Sequence, residues 1–468
     1  MKKILFVHAR GGVPLDHALP RLAACGEVHM LALSALSADR SEPWRRWCAE
    51  VREAGDRRIV GEELVNLIVD SAKDVGADAV IGFSEYILLA LAHAAERLGL
   101  PGPGAGAVYS RDKRLMRERW AEAGVPVPAF RRVATEAELA EAFEALTAPM
   151  LLKPAWGAGS IGQAVLRTRE DVPGAWSSVT GALRGLADRG FGESYETDAP
   201  GHLLVEEIID ATTEGWYEEE GYGDYLSVEG VVARGVYHPV AITGRIPTIA
   251  PFTELSSHAP CVLSEPLQRR VEEVARAAVD ALGLDTCGTH TEIKLCRDGG
   301  LMIVESAARF GGSAITAVVE EVFGADLVTM LTRELLGEPA GLPERMLVGG
   351  GRGAAAEMSL IGTDSAGTPW STTPVWDART ADLDLLVSPG SHVEPVTSLT
   401  VPDGTPIPAY DAPRGITNCA GMLFLTSPDP RTLLRDTYAV LDGMEARLNA
   451  AAGAGKQGGT AEPGESPA

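Results

Sequence analysis

The stretch GTHTEIKLCRDGGLMIVESAARFGG, residues 288–312, decides how this chain is read. Asp298-Gly299 lies between two apolar-rich runs and predicts the two-residue type I′ turn of a β-hairpin. A hairpin centred there pairs residues whose numbers sum to 597, which sets Glu292 directly opposite Glu305. Facing Cβ atoms are about 5 Å apart, and like charges so placed destabilise a sheet unless a cation lies between them. A hard cation with oxygen ligands, Mg²⁺ above all, resolves the conflict. His290 falls opposite Ala307 on the same face and Lys294 shares it; Arg309 joins them if the second strand stays extended. Ile293, Leu295, Met302 and Val304 mark the other face as core, which argues against a merely solvated polar surface. A slip of one residue would break the pairing.

Outward from the hairpin, residues 151–163 read LLKPAWGAGSIGQ. A strand ends at Lys153-Pro154, and Gly157, Gly159, Ser160 and Gly162 follow. Glycines let backbone N–H groups approach a polyphosphate, and Lys153 supplies a point charge beside them. The loop lacks the GK[ST] ending of a Walker A sequence, and a structural loop explains it equally well on its own. Lys113 lies on a helix predicted to be capped by Ser110 and to end at Gly124. Residues 203–209, LLVEEII, form an apolar strand ending in Glu206-Glu207, able to offer backbone groups to an adenine edge.

Together these segments resemble the ATP-grasp superfamily, specifically its carboxylate–amine ligases, and among them the L-amino-acid ligases. The matching elements run in the family order: Asp112-Lys113, LLKP with GAGSIG (151–162), VEEII (205–209), SVEG (227–230), HTE (290–292) and ESAAR (305–309). They span about residues 105–340, and VSPGSHVEPV (387–396) with a last helix resembles the C-terminal domain of L-amino-acid ligases. The resemblance implies ATP and Mg²⁺ as cofactors, with Lys113 and Lys153 on the nucleotide phosphates and loop 157–162 as the mobile lid over them. It implies Glu206, Glu207 and Ile209 along the adenine, Glu292 and Glu305 on Mg²⁺, and Arg309 as the catalytic residue steadying the transferred phosphoryl group or acyl phosphate. It also implies the chemistry: a carboxylate takes the γ-phosphate, and an amine then displaces phosphate to leave an amide.

Two departures stand out. The family pattern Glu-x-Asn on the second metal strand is here Glu305-Ser306-Ala307, which removes a third protein ligand for a second Mg²⁺. An insert, DATTEGWYEEEGYGDY (210–225), displaces the usual ribose-binding acid and leaves Asp224 and Glu214 as alternatives. Its Trp216, Tyr217, Tyr222 and Tyr225 fit either a substrate lid or a mobile surface hairpin. His258, in LSSHAP (255–260), is a candidate substrate contact or a surface-loop histidine. Trp156 shields the acyl phosphate or packs in a core.

The chain has 468 residues and a formal charge of -24, with apolar residues at 45%. That is ample for real cores, and the acidic balance excludes an electrostatic footprint for nucleic acid or an anionic membrane. The apolar start of MKKILFVHAR is too short for a signal peptide, and the run 86–95 is far below membrane-spanning length. Six cysteines without CxxC pairing read as buried thiols, hence a cytoplasmic protein. Neither GxSxG nor HExxH is present. The expected partners are a small-molecule carboxylate and amine, with a homodimer admitted and no nucleic acid or membrane.

The fold class is α/β, with α+β in the ATP-binding part. Residues 1–105 alternate strands and helices as an N-terminal βαβ domain, including helix 42–54, strand 57–60 and helix 61–75. The Gly11-Gly12 pair after the first strand reads as a tight turn more readily than as a phosphate contact. Residues 106–340 are the ATP-grasp part, with a lid subdomain at about 128–209 and a helix at 265–282 capped by Ser264. Residues 341–447 form a C-terminal domain, and the Gly/Pro-rich 448–468 a disordered tail.

Overall fold

A computed structural model describes residues 1–33, 43–55, 57–184, 192–195, 201–349 and 351–457. The apolar KILFVH run makes β1 (Lys3–His8), the centre of a four-stranded parallel sheet with β2 (Glu27–Ala32), β3 (Glu50–Glu53) and β4 (Ala79–Ile81), in the order β3-β2-β1-β4. Helix Gly61–Val75 carries Glu62 and Glu63 in its first turn and stops at Gly76 in the left-handed conformation. Gly12 permits a close crossing: a Cβ there would lie 2.2 Å from the Phe83 carbonyl oxygen.

Three local expectations are corrected here. Of the predicted helix 42–54 only 43–45 are helical among the described residues, the rest giving way to a turn and the edge strand β3, and 57–60 forms no strand. Trp44, Trp47 and Val51 have helical spacing and do reach one apolar cluster, but they reach it through a short helical stretch, a turn and then a strand. Asp112, not Ser110, caps helix Lys113–Glu122, accepting from Arg114 N at 2.9 Å. Ser110 lies inside the preceding helix Ala107–Arg111.

The next unit is an antiparallel sheet of β5 (Phe130–Val133), β6 (Met150–Pro154), β7 (Ala164–Leu166) and β8 (Leu203–Glu207), ordered β5-β8-β6-β7. Helix Val172–Leu183 covers it through Val172, Ala175 and Val179.

The third sheet has eight antiparallel strands. They are β9 (Tyr225–Ala233), β10 (Val236–Arg245), β11 (Ser256–Ala259), β12 (Cys287–Leu295), β13 (Leu301–Ala307), β14 (Ala354–Leu360), β15 (His392–Pro395) and β16 (Gly421–Ser427). Their order is β13-β12-β9-β10-β11-β14-β16-β15. The segment expected as a separate C-terminal domain therefore supplies β14–β16 to the sheet that bears the acidic hairpin. Helix Glu265–Leu282 buries Val271, Ala275, Ala278 and Leu282 against it and ends at left-handed Gly283; Ser264 precedes it without a side-chain cap. The last helix runs from Pro430 to Gln457, past the expected boundary at 447, and Leu448 on it is 1% exposed. The remainder of the expected tail, 458–468, lies outside the described residues. Among the described residues no helix is long and apolar enough to cross a membrane.

Candidate active site

The hairpin of β12 and β13 pairs Glu292 with Glu305 and His290 with Ala307. It arrives at that register differently from the expectation. Leu295 pairs with Leu301, and Gly299, at φ +80°, closes a longer turn whose outer bond runs from Cys296 N to Gly300 O at 3.0 Å. The register then shifts beyond Ile293–Ile303, which leaves Val304 as an extra residue in β13. The longer turn and the bulge cancel, so the two carboxylates still face each other. The core partners of Ile293 and Leu295 are consequently Ile303 and Leu301, not Val304 and Met302. Arg117 Nη2 donates to the Val304 carbonyl at 2.7 Å, which holds the bulge.

Around this pair lies a cavity of about 570 Å³ between β6, β8 and the eight-stranded sheet. Lys113, Lys153, Gly157, Gly159, Ser160, Glu206, Glu207, Ile209, Glu292 and Glu305 all line it. Lys113 Nζ spans from the Gly157 carbonyl at 2.7 Å to Glu305 Oε1 at 2.9 Å, joining the glycine loop to the acidic pair. In the loop, Gly159, Ser160 and Gly162 have φ of +66°, +56° and +67°. Ser160 tolerates that left-handed conformation while its hydroxyl donates to Phe252 O at 3.2 Å. Behind it Gly415 presses so close that a Cβ would stand 2.8 Å from the Ser160 carbonyl oxygen.

The two glutamates ending β8 separate. Glu206 turns inward and is gripped by Lys153 and by Arg117 Nε at 3.1 Å, all three side chains buried. Burial favours neutral Lys153 and lowers its pKa, against the pull of Glu206. Glu207, the last residue of β8, accepts from Thr147 N at 2.7 Å. Of the two candidate ribose acids, Asp224 lines the cavity and accepts from Lys294 at 2.6 Å, whereas Glu214 is exposed and pairs with Arg297. The rest of the insert is anchored. Trp216 Nε1 donates to Cys296 O at 3.0 Å, Tyr217 OH to Gly223 O at 2.6 Å, and Tyr438 OH on the last helix to Gly221 O at 2.8 Å. The insert is thus packed against the last helix, and its Tyr222 and Tyr225 line the cavity beside Asp224.

Four other candidates lie off this cavity. Gly162 turns toward Leu183 and Pro154. Trp156 is buried in the main core with Arg111 over its ring, so core packing describes it. His258 is a buried residue of β11, not a loop histidine, and faces away from the neighbouring Ser257–Glu357 pair, against Tyr222. Burial and Arg245 lower its pKa to about 3, so it is neutral. Arg309 leaves the strand and binds Glu85 of the N-terminal domain and the Phe310 carbonyl.

The face of the sheet that carries Glu292 is a continuous polar floor. Glu254 accepts from Arg245 Nε at 2.6 Å, Arg245 Nη2 reaches Ser227 Oγ at 3.1 Å, and Ser227 donates to Glu229 at 2.9 Å. Glu229 holds His290 Nδ1 at 2.6 Å, and His290 Nε2 stands 3.3 Å from Glu292. Burial alone would lower the His290 pKa, but Glu229 and Glu292 outweigh it and hold it at about 9. Burial would likewise raise Glu292, yet His290 keeps it at about 2, ionised and ready for a cation. Among the described residues no group of three or more His, Cys, Asp or Glu is arranged to hold a metal. A divalent ion at Glu292–Glu305 would find two protein carboxylates there, hard oxygen donors of the kind that suit Mg²⁺.

Sequence reasoning did not single out Glu85, Arg117, Glu229, Arg245 or Glu357. Glu229 sat in the quoted SVEG segment; for the others only the fold brings the partners together. Glu357 accepts from Ser257 Oγ at 2.9 Å and from Ala314 N at the start of helix Ile315–Phe323, and burial pushes it up to about 7. For a carboxyl raised this way, the stability due to its protonation is full below the ordinary carboxylate range and lost as pH rises through about 7. This group's contribution should therefore make the melting temperature fall from about pH 5 to about pH 7, and Glu357→Gln, whose amide oxygen can accept from Ala314 N while its NH2 donates to Ser257 Oγ, should remove that component. Equal slopes in differential scanning fluorimetry would refute it.

No family model matches the chain. The architecture of three sheets around an acidic hairpin and a glycine loop is the ATP-grasp fold. It superposes on the L-amino acid ligase of Bacillus licheniformis with a TM-score of 0.72 at 18% identity, over 94% of this chain and 97% of that one. It also superposes on the biotin carboxylase domain of Hydrogenobacter thermophilus 2-oxoglutarate carboxylase, a complex with MgADP and bicarbonate, with a TM-score of 0.65 at 19% identity, over 91% and 86% of the two chains. In sequence the chain is similar to alanine–anticapsin ligase of Bacillus subtilis strain 168, 37% identical over 288 residues. That match spans 61% of this chain and 60% of the relative.

Proposed function

We propose that the chain is an ATP-dependent carboxylate–amine ligase, ADP-forming, that joins L-amino acids or related small acids and amines through an acyl phosphate. The observation that carries this reading is the convergence on one cavity of the paired Glu292 and Glu305, Lys113 and the glycine loop. The likeness to alanine–anticapsin ligase supports the substrate class. Glu292 and Glu305 would hold Mg²⁺, which supplies charge neutralisation on the β- and γ-phosphates.

The residues then divide the work. Lys113, Lys153 and the loop N–H groups bind the triphosphate; the C-terminal end of β8, with Glu207 and Ile209, meets the base, and Asp224 the ribose. A substrate carboxylate oxygen attacks the γ-phosphorus and ADP leaves. Arg309, held by Glu85, offsets charge on the acyl phosphate. The amine nitrogen attacks the acyl carbon, loses a proton and expels phosphate, leaving the amide. No protein nucleophile is needed, so positioning and preorganised charge do the catalysis.

The test is ADP release with MgATP and the twenty L-amino acids, products read by mass spectrometry. A product mass equal to two amino acids less one water is expected. A phosphorylated amino acid alone would replace the ligase by a kinase. Turnover only with bicarbonate would replace it by a carboxylase.

A further inference from the structure

Beside the cavity but outside its lining, a charged quartet is buried where three units meet. Arg111, directly before the Asp112-Lys113 pair, is fully covered. Its Nη2 donates to the Trp156 carbonyl at 2.8 Å, at the root of the glycine loop. Its Nε lies 2.8 Å from Glu193 Oε2, and its Nη1 lies 3.4 Å from Glu85 Oε1. Glu85 gives its other oxygen to Arg309. Two arginines and two glutamates thus balance.

Glu193 comes from a distance. It belongs to a four-residue segment, 192–195, carried between helix Val172–Leu183 and β8, yet lying on the N-terminal domain. Ser194 N donates to Tyr86 O at 2.9 Å and Gly61 N to Ser194 O at 2.7 Å. The Tyr195 ring stacks on His93 with centroids 4.5 Å apart, and its hydroxyl donates to Glu62 at 3.2 Å. Glu193 Oε1 accepts from the N–H groups of Ser194 and Tyr195 at 3.0 and 2.9 Å, which fixes its rotamer. The unit that carries β6, β8 and the glycine loop is thereby strapped to the domain that supplies Glu85.

Neither Glu85 Oε1 nor Glu193 Oε2 makes an aligned hydrogen bond with Arg111, so the two carboxylates meet its guanidinium as charges, each at a different nitrogen. A buried guanidinium cannot remain uncompensated. If Glu193 withdraws, Arg111 must take Glu85, the carboxylate that orients Arg309.

We propose that Glu193 is a positioning residue that couples docking of segment 192–195 to the geometry of Arg309 through Arg111 and Glu85. With Glu193 seated, Arg111 is neutralised from the lid side and Glu85 is left to Arg309. Without it, Arg309 loses its orienting partner while the nucleotide cavity stays intact. This rests on the ligase reading, in which Arg309 serves the transferred phosphoryl group, and it adds a reason for Arg309 to respond to the nucleotide half of the site.

Two readouts test it, one of them independent of turnover. The first is hydrogen–deuterium exchange of the full chain with and without MgADP. In wild type, MgADP should protect both loop 157–162 and segment 308–314. In Glu193→Gln it should protect only the loop, while Tyr195→Ala, which weakens docking but keeps the carboxylate, should retain both. Transmission in Glu193→Gln equal to wild type, absence of protection at 308–314 in wild type, or equal loss in Tyr195→Ala would each overturn the coupling. The second readout is ADP release with the twenty L-amino acids. Glu193→Gln should lower kcat about tenfold or more with MgADP affinity within about twofold, and Glu193→Asp should recover part of the loss. A Glu193→Gln kcat equal to wild type overturns the proposal. If wild type binds MgADP but releases no ADP with any amino acid, the ligase reading fails, and the exchange result still decides the coupling.

Discussion

Glu305→Ala should abolish amino-acid-dependent ADP release, a fall of roughly a thousandfold or more, without unfolding the chain. The carboxylate faces Glu292 across the β12–β13 pair, so its loss removes half the protein ligands available to a divalent ion at this place. Removing one preorganised charge from a site that stabilises transferred phosphoryl typically costs 10²–10³-fold, and an ion lost with it adds to that. Lys113 loses its 2.9 Å partner but keeps the Gly157 carbonyl, so the melting temperature should move by only a few degrees. Turnover at the wild-type rate would remove the metal assignment from the hairpin. Turnover lost together with far-ultraviolet circular dichroism would mean that the fold, not the ion, depends on Glu305.

Glu206→Ala should act in the opposite way, chiefly on stability. Two buried cations, Lys153 and Arg117, share this one carboxylate. Breaking a buried pair by removing one partner costs about 3–5 kcal/mol, because the remaining charge has lost its solvent and its counter-ion. Arg117 is left stranded while Lys153, already drawn toward its neutral form by burial, can shed its proton, and a drop of several degrees in melting temperature is the expected reading. Arg117 also holds the Val304 bulge, so the damage should reach the hairpin register. Glu206→Gln keeps the shape and one acceptor, and should fall between Ala and wild type. A Glu206→Ala protein as stable as wild type would show that the cations are paired by other groups. The sequence placed Glu206 along the adenine because it follows an apolar strand. Its inward turn depends on Arg117, which arrives from a helix 89 positions earlier.

The hairpin shows how sequence reading succeeds and where it stops. Register arithmetic paired Glu292 with Glu305, yet the turn is longer than the Asp-Gly rule predicts and Val304 bulges to compensate. A local rule cannot see a bulge held by Arg117. The apolar runs and the helix 265–282 were legible because their periodicity is strong and their ends carry Gly signals. Edge strand β3 was not, since only Val51 in EVRE turns toward the core and the helical stretch 43–45, with Trp44, continues in spacing through Trp47 to Val51. At the site, the glycine loop and both lysines were readable as types of residue. His258 was not placed, because a histidine in a polar-looking segment carries no sign of the strand that buries it. Glu85, Arg111 and Glu193 escaped notice because each has an ordinary local context and matters only through the others.

The placement of Gly415 against the glycine loop bears on protein engineering. The 3₁₀ segment Ala412–Asn418 is braced by Asn418, whose amide donates to Asp411 O and Gly415 O, both at 2.8 Å. It forms the seat on which Gly159 and Ser160 rest, while β14–β16 complete the sheet beneath. A chimaera that exchanges everything after residue 350 to alter substrate range would therefore also replace the brace of the glycine loop. A graft point that retains 411–418 and β14–β16, and recombines only the loops between them, respects the joint along which this molecule can be divided.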